Sequence, residues 1–166
     1  DRLNEGIVGP LSVAVNLVTK RIGMPPFWER GRTRFAAIDA HARELVREYD
    51  IMTPTVHAPA GSLTGGNVQK LILARELSFK PKVVVFNKPT YGLDVKTTNA
   101  VRERIRELAD GGCAGALVIS TDLEELLVLC DRVAVLSHGR LTGIVRNRPG
   151  AEREIGALTV GARADG

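Results

Sequence analysis

Two rhythms of apolar and polar positions divide this chain. In the first part they recur at helical spacing. Phe35, Ile38, Ala42, Leu45 and Tyr49 fall at three- and four-residue intervals, one stripe of an amphipathic helix over about Arg34 to Asp50. A shorter apolar stretch, Leu11 to Thr19, predicts a helix that ends before the Pro25-Pro26 break. Beyond a loop with Pro54, Pro59 and Gly61, another helix is expected from Gly65-Gly66 to about Ser78, with Val68, Leu71, Ile72 and Ala74 inward. From Pro81 the rhythm changes. Val83 to Phe86 is an unbroken apolar run between Pro81-Lys82 and Pro89, the pattern of a strand buried on both faces. Val95 to Asp110 reads as a helix with Val101, Ile105 and Leu108 as its stripe and Asp94 as its cap. Gly111-Gly112 ends it, and Ala116 to Ser120 is the next buried-strand candidate.

Thr121-Asp122-Leu123-Glu124 has the form of a capping box opening a helix to about Leu129. Val133 to Leu136 and Leu141 to Val145 flank His138-Gly139, a hairpin expected at the edge of a sheet. After Pro149 only a weak helical turn or two is expected, around Glu152 to Leu158. Strand, helix, strand, helix, strand is the order of an α/β fold with a parallel sheet. Two parallel strands are too few for a stable sheet, so further strands are expected upstream, and with Asp1 in place of Met the natural start is expected to lie upstream as well. No internal repeat or low-complexity tract occurs.

Composition narrows the class. At 166 residues, 44% hydrophobic and 25% charged, the chain has the makings of a globular domain with a core. The longest nearly apolar stretch, Leu11 to Val18, is too short to cross a bilayer and contains Ser12 and Asn16, so direct bilayer insertion is not expected. The net charge is +4, with a pI near 9.4. Most cations alternate with acids, as in Arg43-Glu44, Arg47-Glu48 and Arg102-Glu103-Arg104, the pattern of a solvated, ion-paired surface. The exception runs from Lys20-Arg21 through Arg30, Arg32 and Arg34, where Glu29 is the only acid. Aromatic residues are scarce at 4%, which leaves no stacking platform for bases and disfavours nucleic acid. Cys113 and Cys130 lack CxxC spacing and read as reduced thiols. His41, His57 and His138 have no partner at ligand spacing, so no metal site is expected.

The candidate chemistry lies in two stretches. Leu63-Thr64-Gly65-Gly66-Asn67-Val68-Gln69-Lys70 places two glycines at a helix N-terminus, where free N–H groups and the positive dipole end favour an anion and no Cβ bars its approach. Val83-Val84-Val85-Phe86-Asn87-Lys88-Pro89-Thr90-Tyr91-Gly92-Leu93-Asp94 follows shortly after. Together these resemble the signature motif and the Walker B/D-loop of an ATP-binding-cassette (ABC) ATPase. The likeness continues through Asp122-Leu123-Glu124-Glu125-Leu126, Cys130-Asp131-Arg132-Val133 and Ser137-His138-Gly139-Arg140-Leu141. Upstream, Asp1-Arg2-Leu3, Leu11-Ser12-Val13-Ala14 and Asn16-Leu17 resemble the stretch after the Q-loop of sugar- and nucleoside-type importers. The likeness spans Asp1 to about Gly161 and is nearest to the second, degenerate cassette of fused importer ATPases.

The resemblance implies a partial P-loop NTPase (ABC ATPase) fold. A helical subdomain with the signature motif would fill residues 1–80, the distal half of the core with Walker B, D-loop and H-loop region 81–146, and a C-terminal tail 147–166. It also implies that Leu63, Thr64, Gly65, Gly66, Asn67 and Gln69 meet ATP in trans, on a partner cassette, with Gly92, Leu93 and Asp94 as the D-loop at the dimer seam. Where the family has Asp-Glu, this chain has Asn87-Lys88. Asn87 lacks the charge that a hard dication prefers, and Lys88 puts a cation where a base is needed. Lys88 either pairs with phosphate or faces solvent in a dead site. At the H-loop position stands Thr121, which cannot supply an imidazole. A GxxxxGK[ST] loop is absent. No catalytic residue is then intact in this chain, and ATP and Mg²⁺ would be bound mainly by the partner cassette. The other implied partners are transmembrane permease subunits, at the cytoplasmic face of the membrane, with Asn16 to Trp28 near the permease groove and Phe27 and Trp28 exposed as a partner surface. Two other readings stay open: a non-transport ABC ATPase acting on nucleic acid or ribosomes, and a truncated, non-catalytic interaction module.

Overall fold

The computed structural model describes residues 6–111 and 115–160. Cys113 and the Asp1-Arg2-Leu3 stretch lie outside the described residues. The chain forms two compact units, residues 1–82 with 92–101 and residues 83–91 with 102–166.

In the first unit helix α1 (Val13–Val18) packs on α2 (Phe35–Glu48) and α3 (Gly65–Leu77). The α1 backbone begins on borrowed acceptors. Val13 N donates to Ala58 O and Ala14 N to Val56 O, both at 2.9 Å, and the Ser12 hydroxyl accepts from Val15 N at 3.2 Å. Three N–H groups that have no partner inside the helix are thereby satisfied. One 3-10 turn (Thr19–Arg21) leads to a small hairpin, β1 (Trp28–Glu29) with β2 (Arg32–Thr33). Val13, Leu17, Ile38, Ala42, Leu45, Val68, Leu71 and Ala74 interlock as the core. The α2 stripe thus holds at Ile38, Ala42 and Leu45. Phe35 departs from it: the residue opens the helix, ahead of the turn that meets α1, and stays exposed. Phe27 departs in the other direction. It is only 3% exposed, edge-on to Trp28 and stacked at a tilt on His41, so it is a core anchor and not a partner surface; Trp28 is half-buried.

His41 carries a pH dependence. Burial holds its pKa below the ordinary 6.5, with Arg21 pushing the same way and Glu44 and Glu48 opposing. The unfolded chain therefore binds the proton more readily than the folded one, and stability is full above the unfolded pKa and declines as pH falls toward the folded one. The urea midpoint is expected to drop between about pH 7.5 and pH 5.5, with a shallower drop in His41→Gln; equal slopes would refute the assignment.

In the second unit β3 (Val83–Asn87) pairs in parallel with β4 (Gly115–Ile119), Val83 opposite Gly115 through Asn87 opposite Ile119. This ladder departs from the doubly buried strands expected. Phe86 is buried, but Val83, Val85, Leu117 and Ile119 are 50–65% exposed. Those four share one face because paired residues of a ladder lie on the same side. An apolar run reports that both faces suit burial; only packed layers bury them.

Helix α4 (Val95–Asp110) follows the expected bounds, with Val101 and Ile105 buried. Helix α5 (Leu123–Leu129) is capped by Asp122, whose carboxylate accepts from Glu124 N and Glu125 N, so the cap is Asp122 and not Thr121. Strands β5 (Arg132–Ser137) and β6 (Arg140–Arg146) form the expected hairpin around His138-Gly139. Among the described residues they pair only with each other, rather than at the edge of a larger sheet. The weak turns expected after Pro149 are a full helix, α6 (Ala151–Thr159). Ala151, Ile155 and Leu158 pack it on Val133, Val135 and Val145. Gly143 permits this contact, since a Cβ there would lie 2.7 Å from Leu158.

Candidate functional site

The glycine pair opens α3, and its surroundings orient it. Thr64 is the N-cap residue, yet its hydroxyl makes no cap hydrogen bond. Instead Thr64 Oγ1 accepts from Asn67 Nδ2 at 2.9 Å, while Asn67 Oδ1 accepts from Met52 N at 2.8 Å. The Asn67 amide is thus locked in one orientation, and with one lone pair engaged the Thr64 O–H proton is free to donate outward. The backbone N–H groups of the first helical turn have no acceptor inside the helix either. Nothing lies within 4 Å of where a Gly65 Cβ would stand, whereas a Gly66 Cβ would meet Thr97 Oγ1 at 3.0 Å. The two glycines therefore differ: Gly65 leaves an open approach and Gly66 a close packing contact. One turn on, Lys70 Nζ donates to Asp50 O at 2.7 Å and to Asp50 Oδ2 at 2.9 Å, tying α3 to the end of α2. That bond is the main reason the Asp50 carboxyl titrates below its ordinary range.

Of the six signature candidates, Thr64 and Gly65 are exposed, Gly66 and Asn67 are half-buried, and Leu63 and Gln69 face the interior. Met52 was not legible in the sequence. It contributes only a backbone N–H, which any residue except proline carries.

Thr97 links this helix start to the next candidate stretch. Thr97 N donates to Asp94 Oδ1 at 2.9 Å and Thr97 Oγ1 to Asp94 Oδ2 at 2.7 Å, so Asp94 caps α4 as expected. The two Thr97 bonds, side chain first, hold its carboxyl below the ordinary carboxylate range. Gly92 has φ of +67°, a conformation that suits glycine, and Leu93 is half-buried. Gly66 and Asp94 thus both lie against the hydroxyl of one threonine side chain.

Asn87 and Lys88 stand at the end of β3, both exposed. Lys88 N donates to Ile119 O at 2.7 Å, which extends the ladder, and the residue sits at φ of +48°, uncommon for a side chain with Cβ. Lys88 makes no ion pair among the described residues. An amide and an ammonium are the side chains offered here, a poor set for a hard dication. Just beyond, Thr90 Oγ1 donates to Glu125, a carboxylate buried in α5. Thr121 is exposed and precedes the cap. The thiol of Cys130 is pushed up first by burial, then by the Asp131 and Glu125 charges. His57 pairs with Asp39 at 3.2 Å.

No family model matches the chain. Individual proteins do. It is 38% identical over 161 residues to the nucleoside import ATP-binding protein NupA of Lactococcus lactis subsp. cremoris, covering 97% of this chain and 32% of that protein. It is 34% identical over 162 residues to the guanosine import ATP-binding protein NupO of Bacillus subtilis, covering 98% and 32%. A solved dimeric ATP-binding cassette bound to ADP and Pi shares its fold at a TM-score of 0.71 and 20% identity, over 89% of this chain and 61% of that one. The chain belongs to the ATP-binding-cassette family. The fold is accordingly part of the α/β ABC ATPase fold. The chain spans about a third of the length of the curated ABC relatives it matches.

Proposed function

We propose that this chain serves within the ATP-binding subunit of an ABC importer for sugars or nucleosides, as a helical subdomain with the distal part of the core. Its part is to present Thr64, Gly65, Gly66 and Asn67 to the phosphates of ATP held on a partner cassette. The observation that carries this is the open approach over Gly65 at the N-terminus of α3, beside a threonine hydroxyl whose donor is free. Phosphate fits that arrangement: the helix end supplies N–H donors and positive potential, and the missing Cβ admits the anion. Leu63 and Gln69 then serve from within, as anchors of the helix start.

The same reading makes Asn87 and Lys88 the degenerate Walker B pair. ATP bound with Mg²⁺ supplies the phosphoanhydride whose cleavage drives transport. Neither Asn87 nor Lys88 offers the carboxylates that would hold the metal or accept a proton from the attacking water. Catalytic groups come from the partner, and Asp94 with Thr97 holds the D-loop at the seam. The permease subunits would bring the assembly to the cytoplasmic membrane face; no helix among the described residues is long and apolar enough to cross a bilayer.

The purified chain, incubated with ATP and Mg²⁺, is expected to release phosphate no faster than a protein-free control. A brisk magnesium-dependent rate, carried through successive purification steps in proportion to the chain, would end this reading.

A further inference from the structure

The chain's positive charge is local. Lys20, Arg21, Arg30, Arg32 and Arg34 against Glu29 alone give residues 20–34 a charge of +4, the whole excess of the molecule. Cations and acids elsewhere are equal in number. The segment is built as a turn on a hairpin, pinned from below by Phe27. Met24 O accepts from Phe27 N at 3.2 Å and from Trp28 N at 3.0 Å, and Arg34 N donates to Phe27 O at 2.8 Å. With Phe27 inside, the outer surface is apolar and cationic together. Ile22 is 63% and Met24 54% exposed, and Pro25, Pro26 and Phe35 are exposed beside them.

Three of the cations are engaged: Lys20 with Glu76, Arg34 with Glu29, and Arg21 over the Phe79 ring at 4.6 Å. Arg30 and Arg32 are exposed and make no ion pair among the described residues. Arg30 and Gly31 form the hairpin turn at φ of +49° and +75°, between strands of two residues each. A short hairpin with two free guanidinium groups and two large apolar side chains at its base has no internal use for any of the four.

We propose that this surface docks on anionic phospholipid headgroups. Arg30 and Arg32 pair with the lipid phosphates, and Ile22 and Met24 enter the headgroup layer. A headgroup layer is the partner that takes up both kinds of side chain from one short segment. Nucleic acid would satisfy the arginines but gain nothing from Ile22 and Met24, and with Phe27 buried and Trp28 half-buried only the Phe35 ring is presented for stacking. An acidic peptide would likewise leave the apolar pair in water. The proposal goes beyond the importer reading and does not depend on it, because the surface would act the same way in an ATPase of any purpose.

Vesicle co-sedimentation of the purified chain tests it, comparing phosphatidylcholine alone with a mixture containing about 30% phosphatidylglycerol. Binding is expected to the anionic vesicles only, weakening as salt shortens the screening length. Arg30→Asn with Arg32→Ser should weaken it about thirtyfold, the effect of two surface cations on an anionic membrane. Asparagine is chosen because it tolerates the positive φ of residue 30. Ile22→Ser with Met24→Ser should weaken it as well, and unchanged circular dichroism would show that both variants fold. Failure to bind anionic vesicles overturns the proposal, as does binding that ignores either pair of substitutions. Binding of RNA or of an acidic peptide through Arg30 and Arg32 while vesicles are ignored overturns it in favour of that partner.

Discussion

Asn16→Leu is expected to cost about 3 kcal/mol of folding stability, although leucine shares the branched heavy-atom outline of asparagine and enters an apolar core. Asn16 is fully buried in α1. Its Oδ1 accepts from Val8 N at 2.8 Å, and its Nδ2 donates to Val8 O, Leu11 O and Ser12 O at 3.0–3.1 Å. The carbonyls have other donors: Leu11 N reaches Val8 O, Ala60 N reaches Leu11 O, and Asn16 N reaches Ser12 O. Val8 N–H has none besides Asn16 among the described bonds, in a part-buried bond of a residue that is itself 48% exposed, so the cost comes from losing all the Asn16 bonds together. Asn16→Asp should fail too, because a carboxylate cannot donate to three carbonyls.

The loss would reach the loop proposed to face phosphate. The segment that Asn16 holds receives Ala60 N on Leu11 O at 2.9 Å and Gly61 N on Gly9 O at 3.0 Å, just ahead of Leu63 and Thr64. Gly9 and Gly61 are in close approach there, a Gly61 Cβ coming within 3.3 Å of Gly9 backbone. Urea unfolding of the two variants against the parent chain measures the cost. A loss below about 1 kcal/mol for Asn16→Leu would mean that Val8 N–H finds water and that the knot is not structural.

Gly65→Leu is expected to leave the fold intact and to abolish ATP-driven uptake by the assembled transporter, by at least about a hundredfold. The stability half of that expectation follows from the empty space at its Cβ position and from the better helix propensity of leucine. The functional half follows from the proposed approach of phosphate over that same space. Gly66→Leu separates the two effects. Its Cβ would press on Thr97 at 3.0–3.1 Å, so it should lose about 1–3 kcal/mol in unfolding as well as uptake. Lys88→Ala, on an exposed residue without an ion pair among the described residues, should keep uptake within about twofold. Parallel urea titrations and uptake assays on the three variants decide the matter. Equal losses of uptake from Gly65→Leu and Lys88→Ala would contradict the reading that the signature stretch serves ATP while the Asn87-Lys88 pair does not.

The helices were legible where one physical signal sufficed. Ile38, Ala42 and Leu45 mark the buried face of α2 because a helix repeats its face whatever lies opposite. Asp94 caps its helix through bonds to the third residue on, which local sequence encodes, whereas the Thr121 capping box gave way to Asp122 one residue later. The signature stretch could be found as well, since Gly65-Gly66 states a local need for room beside a helix end.

Other features depended on partners far along the chain. Phe27 and Phe35 read alike as letters, yet one is a core anchor and the other faces solvent, because only one of them meets His41 and Trp28. Asn16 looked like a polar interruption in an apolar stretch until the backbone of residues 8–12 closed around it. Gly65 and Gly66 are chemically identical, and Thr97 alone makes one crowded and the other open.

The sequence by itself determined the helix and strand periods, the local caps and the family, because these depend on neighbours a few bonds away or on runs of matching residues. Tertiary structure alone decided which apolar faces are covered, which asparagine is a hub and which glycine leaves space. Those properties belong to pairs of atoms that the chain brings together only by folding.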